Sequence, residues 1–181
     1  MNKKIIIGII AGVLAAAIVV TGIVLLVKHN KNSVEPTSDN SSASVSEDVI
    51  RKGVLKVSSA AAKAGESITV EVSFNENPGI WAIQLMLSYD TDALEYTGYS
   101  EGDLFSEYEV NAFEDQVKAV VIPNDLKNTY KNGTVIKYDF KVKDGVAPGE
   151  YGIKINDGTS VCNADEVTVE PSVIGGVITV K

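Results

Sequence analysis

An all-β sandwich is predicted for residues 53–181 by two features of the sequence. About nine short segments alternate apolar with polar residues, and turn signals separate them about every 8–12 residues. A strand turns successive side chains to opposite faces, so each segment has one apolar side to bury against a second sheet. Residues 1–52 differ in kind: an uncharged apolar run is followed by a polar stretch.

Lys3 and Lys4 precede that run, which covers residues 5–27 and is closed by Lys28 and His29. At about 1.5 Å per residue, such a helix is long enough for a hydrocarbon core of about 30 Å. A cleaved signal peptide has a shorter apolar region, roughly 7–15 residues, and a small-residue cleavage site. This run is longer and ends in Ile23-Val24-Leu25-Leu26-Val27. The expectation for residues 1–28 is therefore one N-terminal transmembrane signal-anchor helix, with a cleaved signal segment as the alternative. Residues 29–52 are rich in Ser and Asn and poor in large apolar residues, the composition of a flexible linker. A coil of about 25 residues spans roughly 25–30 Å, which keeps an anchored domain close to the membrane.

The domain's strands follow in order. Residues 54–58 form a short first strand, and 60–65 a connection cut off by Gly65. Residues 67–74 place Ile68, Val70, Val72 and Phe74 on one face. Pro78-Gly79 marks the start of the third strand, residues 80–89, with Ile83, Leu85, Leu87 and Tyr89 on the core side. Ala82, Gln84, Met86 and Ser88 occupy its milder face, and Trp81 is read as pointing inward. Asp90-Thr91-Asp92 turns the chain, with Asp90 or Asp92 as a cap, into a fourth strand at 94–100. Residues 108–113 and 117–122 form a hairpin around Glu114-Asp115-Gln116. Pro123 ends its second arm, and Asn132-Gly133 closes the following loop. Strands at 134–142, 149–155 and 173–180 complete the set, with Gly175-Gly176 read as a bulge. Lys181 follows the last strand directly, and the expectation is one folded domain without a cell-wall sorting tail.

Composition excludes several classes of function. Residues 53–181 carry 20 acids against 10 lysines and no arginine, a net charge of −10. Phosphate binding needs clustered Lys and Arg, so nucleic acid is excluded as a partner. Cys162 is the only cysteine, which rules out an intrachain disulfide and a four-cysteine zinc site. His29 is the only histidine and lies outside the domain, so a Ser-His-Asp triad within it is impossible. The acidic residues Asp90, Asp92, Glu101, Asp103 and Glu107 sit at turn signals rather than as the spaced pair a glycosidase needs. Asn156-Asp157-Gly158 and Asn163-Ala164-Asp165-Glu166 lack the ligand spacing of a calcium loop and read as turns. No catalytic residue, metal site or cofactor is assigned.

Several motifs, in this order, resemble a cohesin domain, the receptor module of bacterial cellulosomes and related amylosomes. They are Lys63-Ala64-Gly65-Glu66-Ser67-Ile68-Thr69-Val70-Glu71-Val72, then Pro78-Gly79-Ile80 running on to Gln84-Leu85, Leu87, Tyr89-Asp90 and Leu94-Glu95. Glu101-Gly102-Asp103-Leu104 and Ile174-Gly175-Gly176-Val177-Ile178 complete the pattern. The resemblance covers residues 53–181. It implies a nine-stranded jelly-roll β-sandwich and no enzymatic activity. It also implies that one sheet face, built from the third, fifth, sixth and eighth strands, binds a dockerin, a small calcium-loaded helical module. Carried over onto this chain, that face comprises Ala82, Gln84, Met86, Asn111, Phe113, Ala119, Val121 and Asn124. Calcium belongs to the dockerin partner. Many cohesins have Asn and Asp where this chain has Ala82 and Gln84, which puts the best-known dockerin specificities in doubt.

Gln84 offers a donor and an acceptor, Met86 a flexible apolar contact, and Phe113 an aromatic anchor if it faces outward rather than packing within the fold. A one-residue slip at the Glu114 turn would exchange the faces. The resulting expectation is a monomeric cell-surface cohesin. It would recruit polysaccharide-degrading enzymes or scaffold proteins at the extracellular face of a bacterial membrane, or in secreted form if the N-terminal segment is cleaved. A carbohydrate-binding module is the alternative, and it would need an exposed row of aromatic rings.

Overall fold

In Ser67–Asn75 (β4) the alternation read from the sequence is realised: Val70, Val72 and Phe74 are buried, while Ser67, Thr69 and Glu71 are exposed. The structure, a computed structural model, describes residues 49–181. The apolar run at 5–27 and the polar stretch up to residue 48 lie outside the described residues, as does the expected anchor helix. Among the described residues no helix is long and apolar enough to cross a membrane.

The remaining strands are β1 (Val49–Ile50), β2 (Val54–Val57), β3 (Ala60–Ala62), β5 (Ala82–Tyr89), β6 (Leu94–Glu101), β7 (Glu107–Ala112) and β8 (Gln116–Ile122). They continue as β9 (Gly133–Val142), β10 (Gly149–Ile155), β11 (Ser160–Cys162), β12 (Thr168–Val169), β13 (Ser172–Ile174) and β14 (Gly176–Val180). They form two sheets. The smaller runs β13-β2-β4-β9-β6. In the larger, β5 pairs with β8 on one edge, and β7 lies beyond β8. The other edge of β5 is shared: β10 pairs with Leu87–Tyr89 and β11 with Ala82–Gln84. From there β10 leads to β14 and β3, and β11 leads to β12 and β1.

Eight of the nine strands read from the sequence are single strands here, the ninth is divided in two, and four further short strands, β1, β3, β11 and β12, lie between and around them. The sheet begins ahead of Gly53, within the stretch that composition assigns to the linker. Val49 and Ile50 pair in parallel with Thr168 and Val169, and Arg51 bonds Glu170 at 3.0 Å. The 60–65 connection contains β3, which pairs in parallel with β14. The expected last strand is two strands in different sheets: β13 pairs with β2, and β14 with β10 and β3. The first and last segments thus change sheets together, side by side. Gly176 makes this possible, because a Cβ there would collide with the Ser58 carbonyl oxygen. Gly175-Gly176 is therefore a crossing between sheets rather than a bulge.

The core lies between the sheets. Leu55, Val72, Phe74, Tyr138 and Phe140 of the smaller sheet meet Ile83, Leu85, Leu87, Ile153 and Ile178 of the larger. Tyr89 stands edge-on to Phe140 at 5.0 Å, and Tyr96 edge-on to Tyr138 at 6.2 Å. A register shift between β4 and β9 lets Val135 and Ile136 both enter the core, although they are neighbours.

Candidate protein-binding face

β5 divides as its sequence suggests. Ile83, Leu85 and Leu87 belong to the core, and Tyr89 packs against it. Ala82, Gln84, Met86 and Ser88 turn to the outer face of the larger sheet. Register then decides which residues join them. Met86 is opposite Lys118, and Lys118 is opposite Asn111. Gln84 is opposite Val120, which faces Glu109, and Ser88 is opposite Gln116. In an antiparallel pair, opposite residues share a face, so the outer set on β8 is Gln116, Lys118 and Val120.

Ala119 and Val121 are therefore not on this face. They oppose Leu85 and Ile83 and are buried in the core. The cause is the hairpin turn. The Phe113 N–H donates to the Gln116 carbonyl at 2.8 Å, which leaves two residues, Glu114 and Asp115, in the loop. The sequence reading allowed three, and one residue of slip exchanges the faces of a strand. Lys118 was the available signal. A lysine inside Val117-Lys118-Ala119-Val120-Val121 marks the outward parity of that strand.

Asn111 is exposed on the outer face. Phe113 is 53% exposed and by register continues that face opposite Gln116. Asn124 is exposed in the loop after β8. Gln84 and Ala82 behave otherwise. Gln84 is only 9% exposed, and Ala82 is fully buried.

The reason lies in the interruption between β10 and β11. Residues 156–159 leave the sheet there and lie against β5. Gln84 Nε2 donates to the Gly158 carbonyl at 3.0 Å, and the Met86 N–H donates to Thr159 Oγ1 at 3.0 Å. The Asn156 N–H donates to the Met86 carbonyl at 2.8 Å, and the Ser88 hydroxyl to Asn156 Oδ1 at 2.9 Å. Side chains thus replace the missing ladder bonds of a broken strand. A Cβ on Gly158 would lie 3.0 Å from Met86 Cγ, so the segment sits tightly on the sheet.

At the start of β5 two loops approach each other. Ile80 pairs with Thr129, the Trp81 N–H donates to the Cys162 carbonyl, and Asn128 Oδ1 accepts from the Ala164 N–H at 2.6 Å. Ala82, Val120 (6% exposed) and Ile122 (6% exposed) are buried at this end without belonging to the main core. At the other end of β5 a depression of about 260 Å³ is lined by Ser88, Tyr89, Asp90, Gly152 and Lys154.

Two of the acidic candidates, Asp103 and Asp90, have structural partners. Asp103 Oδ1 accepts from the Thr134 N–H at 2.7 Å, and its Oδ2 accepts from Lys131 Nζ at 2.6 Å. The lysine hydrogen bond holds the Asp103 carboxyl below the usual range. Asp90 Oδ1 caps the turn into β6 through the Asp92 and Ala93 N–H groups. Asn163 Oδ1 accepts from the Asp165 and Val167 N–H groups, which is turn chemistry. Cys162 is half-buried, and burial pushes its thiol upward, away from the nucleophilic thiolate. Trp81 is half-buried rather than in the core, with its indole N–H on the Asp125 carbonyl at 3.0 Å. The most exposed aromatics, Tyr99, Phe113 and Tyr130, lie on three separate elements and form no row.

The described residues form a two-layer sandwich whose larger sheet carries a lightly polar outer face, the architecture of a β-sandwich module. The family model described as Cohesin domain matches residues 53–180, and the chain belongs to the cohesin family. It is 28% identical over 133 residues to cellulose-binding protein A of Clostridium cellulovorans, a match that covers 64% of this chain but only 7% of that protein. Among solved structures it resembles the seventh ScaB type I cohesin of Pseudobacteroides cellulosolvens, with 23% identity and a TM-score of 0.68 over 73% of this chain and 94% of that one. It also resembles a type I cohesin–dockerin complex from Clostridium thermocellum, with 17% identity and a TM-score of 0.66 over 72% and 100% of the two chains. A non-cellulosomal cohesin from the archaeon Archaeoglobus fulgidus gives 21% identity and a TM-score of 0.65 over 72% and 91%. At these identities the structural likeness establishes the fold.

Proposed function

We propose that this cohesin domain binds a dockerin module without covalent chemistry, through the outer face of β5, β7 and β8, and so recruits dockerin-bearing enzymes or scaffold proteins for polysaccharide degradation. Family membership carries the reading. The solved relatives include cohesins of this fold in complex with dockerins, from Clostridium thermocellum among other sources. The exposed Phe113, beside Asn111 and Lys118, supplies an aromatic anchor with polar neighbours, a composition suited to a protein interface. The run at residues 5–27 holds the domain at the outer surface of the cell membrane.

Calorimetric titration of the purified domain with calcium-loaded dockerin modules from the same genome tests binding. At least one should bind at micromolar concentration or tighter, and failure of all would refute the proposal. Fractionation of cells expressing the full chain tests the tether. The domain should stay with the membrane, and an amino terminus beginning beyond residue 27 would show cleavage instead.

A further inference from the structure

We infer that the partner reads this chain through only half of the sheet face, the half at the end of β5, and that its contacting helix sets an apolar side chain on Phe113 and Met86 and a carboxylate on Lys118. The inference rests on the dockerin reading above and specifies the chemistry of that contact.

Geometry first separates the two halves. At the start of β5, Ala82, Gln84, Val120 and Ile122 are buried. The 156–159 segment covers Gln84, and the loops joined by Asn128 and Ala164 meet across that end of the strand. These positions therefore present little for a partner to read. The opposite half is less covered, although the same segment bonds the Met86 backbone and the Ser88 hydroxyl. Asn111 and Phe113 are exposed, and Met86, Ser88, Gln116 and Lys118 are partly exposed. The hollow of about 260 Å³ beside Ser88 extends this half.

Charge then identifies what the open half accepts. Residues 53–181 hold twice as many acids as lysines. Even so, Lys118 stands near the middle of the open half, opposite both Met86 and Asn111, and makes no ion pair among the described residues. Lys154, opposite Ser88, adds a second cation at the rim. Directly opposite residues stand about 5 Å apart and diagonal ones about 7–8 Å. Phe113 and the exposed Glu109 are the two diagonal neighbours of Lys118 across β7, and neither Glu109 nor another described acid pairs with it. Residues one turn apart on a helix are separated by about 6 Å, so an apolar residue and an acid at that spacing meet Phe113 and Lys118 together. An acid at that position completes the ion pair that the domain's own acids leave unmade.

The test is calorimetric titration with a calcium-loaded dockerin that binds the wild-type chain, using Phe113→Ala, Lys118→Met, Lys118→Glu and, from the exposed loop beyond the covered end of the face, Asn124→Ala. Urea midpoints verify that each variant is folded. The Phe113 and Lys118 variants should lose affinity by about tenfold or more, and Asn124→Ala should stay within about twofold. The Lys118→Glu loss should be reversed by exchanging one dockerin acid for lysine. Binding that survives both the Phe113 and the Lys118 substitutions would overturn this inference while leaving dockerin recognition standing. Absence of any dockerin binding to the wild-type chain would overturn both.

Discussion

Gln84→Glu separates the two descriptions of β5. Read from alternation alone, Gln84 is an outward residue whose replacement by an acid leaves the fold intact. In the structure the residue is 9% exposed and its amide donates to the Gly158 carbonyl at 3.0 Å. A glutamate there has no proton to donate at neutral pH, and two acceptors face each other in a covered site. Losing the bond and leaving the carbonyl unsatisfied costs about 1–3 kcal/mol, and desolvating the new charge adds about 1 kcal/mol or more. With a urea slope of about 2 kcal/mol per molar, the midpoint at pH 7 should fall by roughly 1–2 M.

The deficit should also depend on pH. Burial beside a carbonyl raises the folded pKa of the introduced carboxyl above its unfolded value of about 4.3. The penalty is then absent below about pH 4.3, where the protonated acid can donate to Gly158. It grows as pH rises through the folded pKa. Urea unfolding of variant and wild type at pH 4 and pH 7 measures both quantities. A variant as stable as wild type at pH 7 would refute the covered position of Gln84. A deficit of equal size at both pH values would refute the carboxylate–carbonyl account of it.

Three further outcomes are expected. Leu85 is fully buried between the sheets, so Leu85→Ala should cost about 2–5 kcal/mol in denaturant unfolding, and Leu85→Asp should abolish the cooperative transition. The Tyr138 hydroxyl is buried without a hydrogen-bond partner, and burial pushes its phenol far above the ordinary range. Tyr138→Phe should therefore be neutral or stabilising by up to about 1–2 kcal/mol, and a clear loss of thermal stability would count against the orphaned hydroxyl. Asp103→Asn should lower stability at neutral pH, because a carboxyl held below its usual pKa stabilises the fold in full above its unfolded value of about 3.9 and progressively less below it. The difference from wild type should vanish as pH falls through the depressed value, which acid titration followed by circular dichroism will read.

The parts legible in the sequence are those written in local periodicity and turn chemistry. β4 and β9 carry their burial pattern in their own alternation, β5 carries its core side, and Asp90 announces its turn by its position ahead of Leu94. The candidate face was legible only where a strand carried its own polarity, as Asn111 did on β7. Ala119 and Val121 were misplaced because the register was counted from the turn, while Lys118, the one polar residue inside Val117-Lys118-Ala119-Val120-Val121, marks the outward parity. The two-residue loop at Glu114-Asp115 sets that same parity. β3 and the division of β13 from β14 were hidden for another reason. Both depend on parallel pairing between the two ends of the domain, which leaves no local trace.

By itself the sequence determined an acidic β-sandwich of the cohesin family, an apolar run ahead of it, and which side of β5 is core. The acidity, the apolar run and the core side of β5 follow from composition and a strict period of two, and the family from the resemblance of its ordered motifs. Tertiary structure alone decided how much of the outer face remains available. Gly158 rests on Met86, Gln84 turns its amide to the Gly158 carbonyl, and Asn128 reaches Ala164 across the start of the strand. These contacts join residues 36 to 74 positions apart, and no pattern within one strand encodes them. The milder face of β5 is thus closed at Ala82 and Gln84 and partly exposed at Met86 and Ser88, next to Lys118.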